Sequence, residues 1–111
     1  MTTQVSFYID QGIDFLLRLT VALDENTFEG ITFYSSVRKT YSSVKLFDAE
    51  IVAEDAGGSN IDINIAISAA KTRDLKPGKY QYDVIYTTQD GIVKKLLEGI
   101  VYIIPTITRP E

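Results

Sequence analysis

The sequence has 111 residues, a length typical of one domain that buries roughly two-thirds of its unfolded surface in a single core. It contains no cysteine and no histidine, which excludes disulfide bonds, thiolate metal sites and histidine-dependent catalysis. The formal net charge of −4 argues against a nucleic-acid-binding surface, because such a surface needs clustered basic residues to displace counterions.

Two further features bear on membranes and secretion. The longest apolar run, residues 100–104, is far shorter than the roughly 20 residues that a membrane-spanning helix needs. Residues 1–4 carry no basic cluster and no long apolar run follows them, which is unlike a signal peptide. We therefore expect a soluble protein that is made in the cytoplasm, with no signal peptide and no membrane partner.

Apolar and polar residues alternate along most of the chain, which is typical of half-buried strands. The alternation predicts strands over residues 5–9, 13–23, 31–38, 44–54, 61–68, 80–87 and 92–104. In the second of these strands the odd-numbered residues, from Ile13 to Leu23, are expected to face the core. In the fifth strand the four isoleucines are expected to do so. Residues 69–74 are expected to form a single helical turn with Ser68 as its N-cap.

The clearest local signal is the Leu-x-Pro-Gly-x-Tyr sequence over residues 75–80. Its Pro-Gly pair favours a tight turn, after which Tyr80 begins an alternating strand. Asp90-Gly91 is a dipeptide preferred in two-residue hairpins, so the chain is expected to return antiparallel along residues 92–104. Gly99 interrupts the alternation of that last strand, and a glycine inside a strand usually marks a bulge.

The position of Tyr80 resembles the tyrosine corner of immunoglobulin-like sandwiches, in which a tyrosine hydroxyl bonds to upstream backbone. Together with the number of strands, this favours an all-β fold, an immunoglobulin-like antiparallel β-sandwich of about seven strands with Greek-key connections. A Greek-key barrel is the alternative, because periodicity alone does not separate the two. Residues 1–104 are expected to form the single domain. Pro105 should end sheet pairing and leave residues 105–111 as an extended tail.

No set of residues in the sequence predicts a catalytic or metal-binding site. The serines lack the histidine that normally activates them. Asp48 and Glu50 fit the solvated face of a strand better than a calcium-binding loop. We therefore expect no enzymatic activity, no cofactor and no metal.

Outward-facing tyrosines are the best candidates for binding. Tyr34, Tyr41 and Tyr102 fall on predicted outer faces or edges, and Arg38 lies near the first two in the sequence. This composition is typical of a protein-interface anchor or of a platform on which sugars stack. The tyrosines would serve equally well to cover the sheet locally.

The C-terminal strand and tail are the second candidate. Residues 100–104 are apolar on both faces, and a small sandwich covers only one face of such a strand. The other face needs a cover, either from the same chain or from a partner. We expect this strand and the tail, with Ile107 and Arg109, to be a docking element that adds main-chain hydrogen bonds to a neighbouring sheet edge.

Motifs in a fixed order along nearly the whole chain resemble a known family. They are Gly12-x-Asp14-Phe15, Val37-Arg38-Lys39, Thr72-x-x-Leu75-x-Pro77-Gly78-x-Tyr80-x-Tyr82-Asp83-Val84, Leu97-Glu98-Gly99-x-Val101 and Pro105-x-Ile107-Thr108-Arg109. This order resembles small accessory proteins of tailed bacteriophage virions. The resemblance implies an immunoglobulin-like domain in the virion, used for head decoration or cement, or for neck, tail or fibre attachment. It implies no catalytic residues, and it implies other virion proteins, or copies of the same chain, as partners.

Two functional hypotheses follow from the sequence. The first is a virion structural protein that docks on other subunits, with the capsid surface as the leading position. The alternative is a module that binds glycans or another component of the host surface through exposed tyrosines. A glycan-binding site would be expected to combine an aromatic platform with convergent Asn, Asp or Gln side chains in one loop, and no loop in this sequence combines them.

Overall fold

The computed structural model describes residues 3–23, 30–40, 42–57 and 60–107. Within these ranges the protein is all-β, as the alternation predicted, with one short helical turn. In chain order the elements are β1 (Thr3–Gln4), β2 (Phe7–Asp10), β3 (Phe15–Ala22), β4 (Thr32–Arg38), β5 (Lys45–Gly57), β6 (Asn60–Ile67), α1 (Ala69–Thr72), β7 (Gly78–Thr87) and β8 (Val93–Ile104).

The strands form one curled sheet in the order β1-β8-β7-β4-β5-β6-β3, and β2 also pairs with β8. The long strand β5 connects the two halves of the sheet. Its first part, up to Ala49, pairs with β4, and its second part, from Glu50, pairs with β6. Although β2 and β3 lie towards opposite ends of the strand order, the rings of Phe7 and Phe15 stack with centroids 4.8 Å apart. The sheet therefore bends back on itself and encloses the core between its halves.

The expectation of a purely antiparallel sheet is wrong, because β1 and β2 run parallel to β8. Phe7 lies opposite Val101, and the amide of Gln11 donates to the carbonyl of Ile104 at 2.8 Å just beyond the paired strands. Alternation shows which side chains share a face, but it carries no information on strand direction. A parallel pair needs a long connection in place of a tight turn, and most of the chain separates these strands. The described residues contain eight strands where about seven were expected.

The strand at the centre of one half, β6, confirms the predicted inward face. Its four isoleucines, at positions 61, 63, 65 and 67, are each at most 1% exposed. They lie between β3 and β5, so that Ile65 is opposite Leu17 on one side and Ile51 on the other. Strict alternation with only one apolar face leaves a single register in which these side chains are buried.

Two details near the start of β3 and α1 differ from expectation. Ile13, expected in the core, is 44% exposed, because β3 begins only at Phe15. Ser68 precedes α1 but makes no side-chain capping bond. The carboxylate of Asp14 accepts a hydrogen bond from the amide of Ala69 at 2.7 Å instead. An amide at the start of a helical turn needs an acceptor, and here a residue distant in the sequence provides it.

The interruption in β8 lies at Leu96 and not at Gly99 as predicted. Leu96 and Leu97 are consecutive and both buried, and the register against β7 shifts at this point. In such a bulge two residues oppose one, so Leu96 enters the core without a cross-strand partner. Gly99 has a different role. The backbone of Val5 passes directly over it, and a Cβ at position 99 would lie 1.8 Å from the Val5 carbonyl oxygen.

Tyr82 holds the backbone of Val5 in its position over Gly99 from the core side. Its hydroxyl donates to the carbonyl oxygen of Val5 at 2.5 Å, and the amide of Val5 donates to the carbonyl of Glu98 at 2.9 Å. Burial raises the pKa of Tyr82, so the hydroxyl keeps its proton and remains a donor well into the alkaline range. Both polar groups of the Val5 backbone are therefore paired with the β7–β8 hairpin.

The predicted tyrosine corner is present, and it leads to a first testable prediction. The hydroxyl of Tyr80 donates to the carbonyl of Lys76 at 2.6 Å, and the ring is buried. Tyr80→Phe should lower the free energy of unfolding by about 1 to 2 kcal/mol, because the carbonyl loses its partner while the ring is retained. Denaturant midpoints would measure this change.

The matched control is Tyr34→Phe, which removes the hydroxyl of a tyrosine that is 56% exposed and should change stability by less than about 0.5 kcal/mol. Equal midpoints for Tyr80→Phe and wild type would show that the corner bond contributes nothing to stability.

Candidate functional site

The outer face of β4 and β7 carries several polar and charged side chains. These strands pair antiparallel, with Ser36 opposite Asp83 and Arg38 opposite Gln81. The side chains of the intervening residues, such as Val37 and Tyr82, point into the core. Because side chains alternate along a strand, all four polar residues emerge on the side away from the core.

A groove of about 270 Å³ lies on this face and is called here the β4–β7 groove. Its lining residues are Ser36, Arg38, Thr40, Gln81, Tyr82, Asp83 and Ile85. The polar side chains on its floor, Ser36, Arg38, Gln81 and Asp83, are all half-buried. The groove therefore combines concave shape with a few convergent polar groups, which is the usual composition of a site for a small ligand.

Arg38 of the groove is held by a hydrogen bond, whereas an oxygen atom of Gln81 has none among the described residues. Arg38 donates from Nη1 to the carbonyl of Ser43 at 2.7 Å, which anchors the guanidinium while leaving its other N–H groups. The side-chain oxygen Oε1 of Gln81 is buried and has no hydrogen-bond partner within the described part of the chain. An unpaired but shielded acceptor therefore lies beside an anchored cation and a carboxylate.

An aromatic side chain lies at one end of the groove. Tyr34 is 56% exposed and lies directly opposite Ile85, one of the groove residues. No sequence pattern grouped Tyr34 and Arg38 with Gln81, which looked like an ordinary surface residue. The missing information was the register between β4 and β7, since the polar and aromatic groups that no single loop combines meet across two strands.

A second exposed surface lies at the end of β8 and is called here the β8-end patch, formed by Tyr8, Tyr102 and Ile104. The rings of Tyr8 and Tyr102 stack with centroids 4.8 Å apart. Tyr8 is 67% exposed, Tyr102 is half-buried, and Ile104 is exposed. Beyond Pro105, the side chain of Ile107 is 99% exposed. This patch and the start of the tail therefore present apolar surface to solvent.

The chain itself covers part of its last strand, as one sequence-based interpretation allowed. β2 occupies the main-chain edge of β8 from Val101 to Ile104. β2 covers only the main-chain edge of β8, and the side chains of the β8-end patch still face solvent. A partner strand is thus excluded from this edge, but the outer face of the patch remains accessible.

The predicted interface residues fall into two separate groups. Arg38 lines the β4–β7 groove and Tyr34 lies opposite Ile85 at its end, whereas Tyr102 and Ile107 lie at the end of β8. Tyr102 lies opposite Lys79 and Tyr34 opposite Ile85, so the two groups are separated by about 20 Å along β7 at roughly 3.3 Å per residue. Tyr41 and Arg109, also predicted at the interface, lie outside the described residues.

The described ranges contain no group of three or more Asp, Glu, His or Cys side chains arranged to hold a metal ion. Their helical content includes no segment of the length and hydropathy that crossing a membrane would require.

Among solved structures, the chain is similar to part of an uncharacterized protein from Listeria monocytogenes, determined in complex with alpha-D-glucose, beta-D-glucose, magnesium and calcium. The match has a TM-score of 0.53 and 17% sequence identity, and it covers 85% of this chain but 8% of the Listeria protein. At this identity the likeness concerns the fold alone. Neither family models nor curated proteins give a match to the chain.

Proposed function

We propose that the protein is a non-enzymatic structural protein of a bacteriophage virion that acts by docking on other virion subunits. Capsid decoration or cement is the leading role, with neck, tail or fibre attachment as variants of the same activity. The proposal combines the resemblance of the ordered sequence motifs with one structural observation, the exposed apolar surface at the end of β8. No catalytic role forms part of it, since the sequence lacks the residue types that usually activate a nucleophile.

The proposal includes an immunoglobulin-like arrangement of the strands. β3, β6 and the second part of β5 would correspond to one sheet of such a sandwich, and β4, β7 and β8 to the other. The corner bond from Tyr80 to Lys76, at the entry to β7, supports this correspondence. In such domains the edges and the ends of the strands remain available for partners.

Two features of the surface support docking. Exposed apolar surface costs roughly 25 cal/mol per Å², so covering Tyr8, Ile104 and Ile107 with a partner would be favourable. Among the described strands β3 pairs only with β6, which leaves its other main-chain edge unpaired. An open edge of this kind can accept an extended segment, such as the tail of a neighbouring copy or of another subunit.

The proposal predicts that incorporation into particles depends on the end of β8. The double variant Tyr8→Ser with Ile107→Ser should fold normally, because both side chains are exposed, and its occupancy in assembled parent particles should fall about tenfold or more. Occupancy would be measured by electron microscopy and quantitative gel analysis of purified particles, and folding by thermal melts. Deletion of residues 106–111 should act in the same direction.

The matched control is Val52→Ser, which removes an apolar side chain that is 57% exposed on the outer face of the other half of the sheet. Normal incorporation of the double variant, or an equal loss with the Val52 control, would contradict docking through the end of β8.

A further inference from the structure

We propose that the β4–β7 groove is a binding site for a single neutral sugar unit with neighbouring hydroxyl groups. This site is separate from the β8-end patch, so the inference does not depend on the proposed docking function. It is based on three properties of the groove. The groove contains both hydrogen-bond donors and hydrogen-bond acceptors, it has one positively and one negatively charged side chain, and its volume suits a small ligand next to the exposed Tyr34.

The hydrogen-bonding groups of the groove are complementary to a pair of adjacent hydroxyls. A hydroxyl group both donates and accepts. The carboxylate of Asp83 and the unpaired Oε1 of Gln81 accept, while the remaining N–H groups of Arg38 donate. Oε1 of Gln81 is shielded from solvent, so the side chain must rotate to expose it. Because buried acceptors are normally paired, a ligand hydroxyl would then complete the network.

The opposite charges of Arg38 and Asp83 disfavour both anions and metal ions as ligands of the groove. Asp83 would repel a phosphate or carboxylate drawn to Arg38, and Arg38 would repel a metal ion drawn to Asp83. A neutral ligand with many hydroxyls avoids both penalties and uses both residues as partners. The hydrogen bonds that it makes to the two charged groups would be of the stronger, charge-assisted kind.

The dimensions of the groove also suit one sugar ring. Its volume of 270 Å³ lies just below the roughly 300–1,000 Å³ of pockets for drug-sized ligands. Tyr34, exposed and opposite Ile85 at one end of the groove, provides an aromatic face for the apolar side of the ring.

The experiment is a titration of the isotope-labelled full chain with the methyl glycosides of D-glucose, D-galactose and D-mannose, followed by two-dimensional NMR. Titration to about 50 mM reaches saturation for a site with a Kd on the order of 5 mM. At least one glycoside should give saturable shifts that centre on the side-chain amide of Gln81 and on the backbone near Ser36 and Asp83. Sodium phosphate, calcium chloride and magnesium chloride should give no saturable shifts there.

Asp83→Asn should weaken binding about tenfold, because it removes the charge from one acceptor while preserving its shape. The hydrogen bond from Ser35 to Asp83 uses the main-chain carbonyl, so the fold should be retained. Asp90→Asn, in the turn after β7, is the control and should bind like wild type. The absence of saturable shifts with all three glycosides, shifts centred elsewhere, equal losses in the two variants, or saturable binding of an ion in the groove would each overturn the proposal.

Discussion

Replacing Gly99 with alanine is expected to lower the free energy of unfolding by about 3 kcal/mol, at the upper end of the usual cost of overpacking. A Cβ at this position would lie 1.8 Å from the carbonyl oxygen of Val5 and 2.6 Å from its carbonyl carbon. Both are backbone atoms, so no side-chain rotation can relieve the clash. The segment that contains Val5 would have to move away from β8.

That movement would break the bonds that hold the segment in place. The hydroxyl of Tyr82 donates to the Val5 carbonyl, and the Val5 amide donates to Glu98. Moving Val5 would leave the buried hydroxyl of Tyr82 unpaired, which adds to the cost of the clash. Amide hydrogen exchange should show β1 and β2 losing protection before the rest of the sheet.

Gly91→Ala is the matched control, because position 91 has a φ of 86° but nothing within 4 Å of an added Cβ. It should cost about 1 kcal/mol from backbone strain alone. Denaturant unfolding of both variants would separate strain from collision. A loss for Gly99→Ala no greater than that for Gly91→Ala would mean that the backbone of Val5 does not pass over position 99.

The contrast between β6 and Gly99 shows what local sequence can predict about this fold. The isoleucines of β6 alternate strictly, and burying them requires only that one face of one strand be covered. The role of Gly99 depends on Val5, far away in the sequence, and on a parallel pairing that alternation does not encode. A glycine inside a strand therefore suggested a bulge at the wrong place. The adjacent pair Leu96-Leu97 was the local signal of the real one, since two consecutive apolar residues break a period of two.

The exposure of individual side chains at the candidate site was predictable, but which of them lie together was not. Exposure of Tyr34 followed from its position on the outer face of a strand. The partners of Arg38 and Gln81 did not, because register between strands is fixed by the turns and the core of the whole sheet. A shift of one residue between β4 and β7 would have turned one set of side chains to the other face. The β4–β7 groove thus exists only once the sheet is assembled.

The second large effect is expected for Ile65→Ala, which should destabilise the protein by about 3 to 4 kcal/mol. Ile65 is fully buried at the centre of β6, with Leu17 of β3 and Ile51 of β5 as its cross-strand neighbours. Truncation removes buried methyl and methylene groups and leaves a cavity that surrounding β-strands cannot easily fill. Domains of this kind have total stabilities of only about 5 to 15 kcal/mol, so the loss would be a large share.

Val52→Ala gives the control for this substitution, because Val52 is also β-branched and lies on the neighbouring strand, but is 57% exposed on the outer face. It should change the unfolding free energy by less than about 0.5 kcal/mol, and Ile65→Val should fall between, at about 1 kcal/mol. Chemical denaturation of the three variants would measure all of these values. A graded loss of unfolding free energy from Ile65→Val to Ile65→Ala, with no loss at Val52, is expected because only the inner face of the sheet is packed. Equal losses at the two positions would mean that the outer face of this half of the sheet is packed as well.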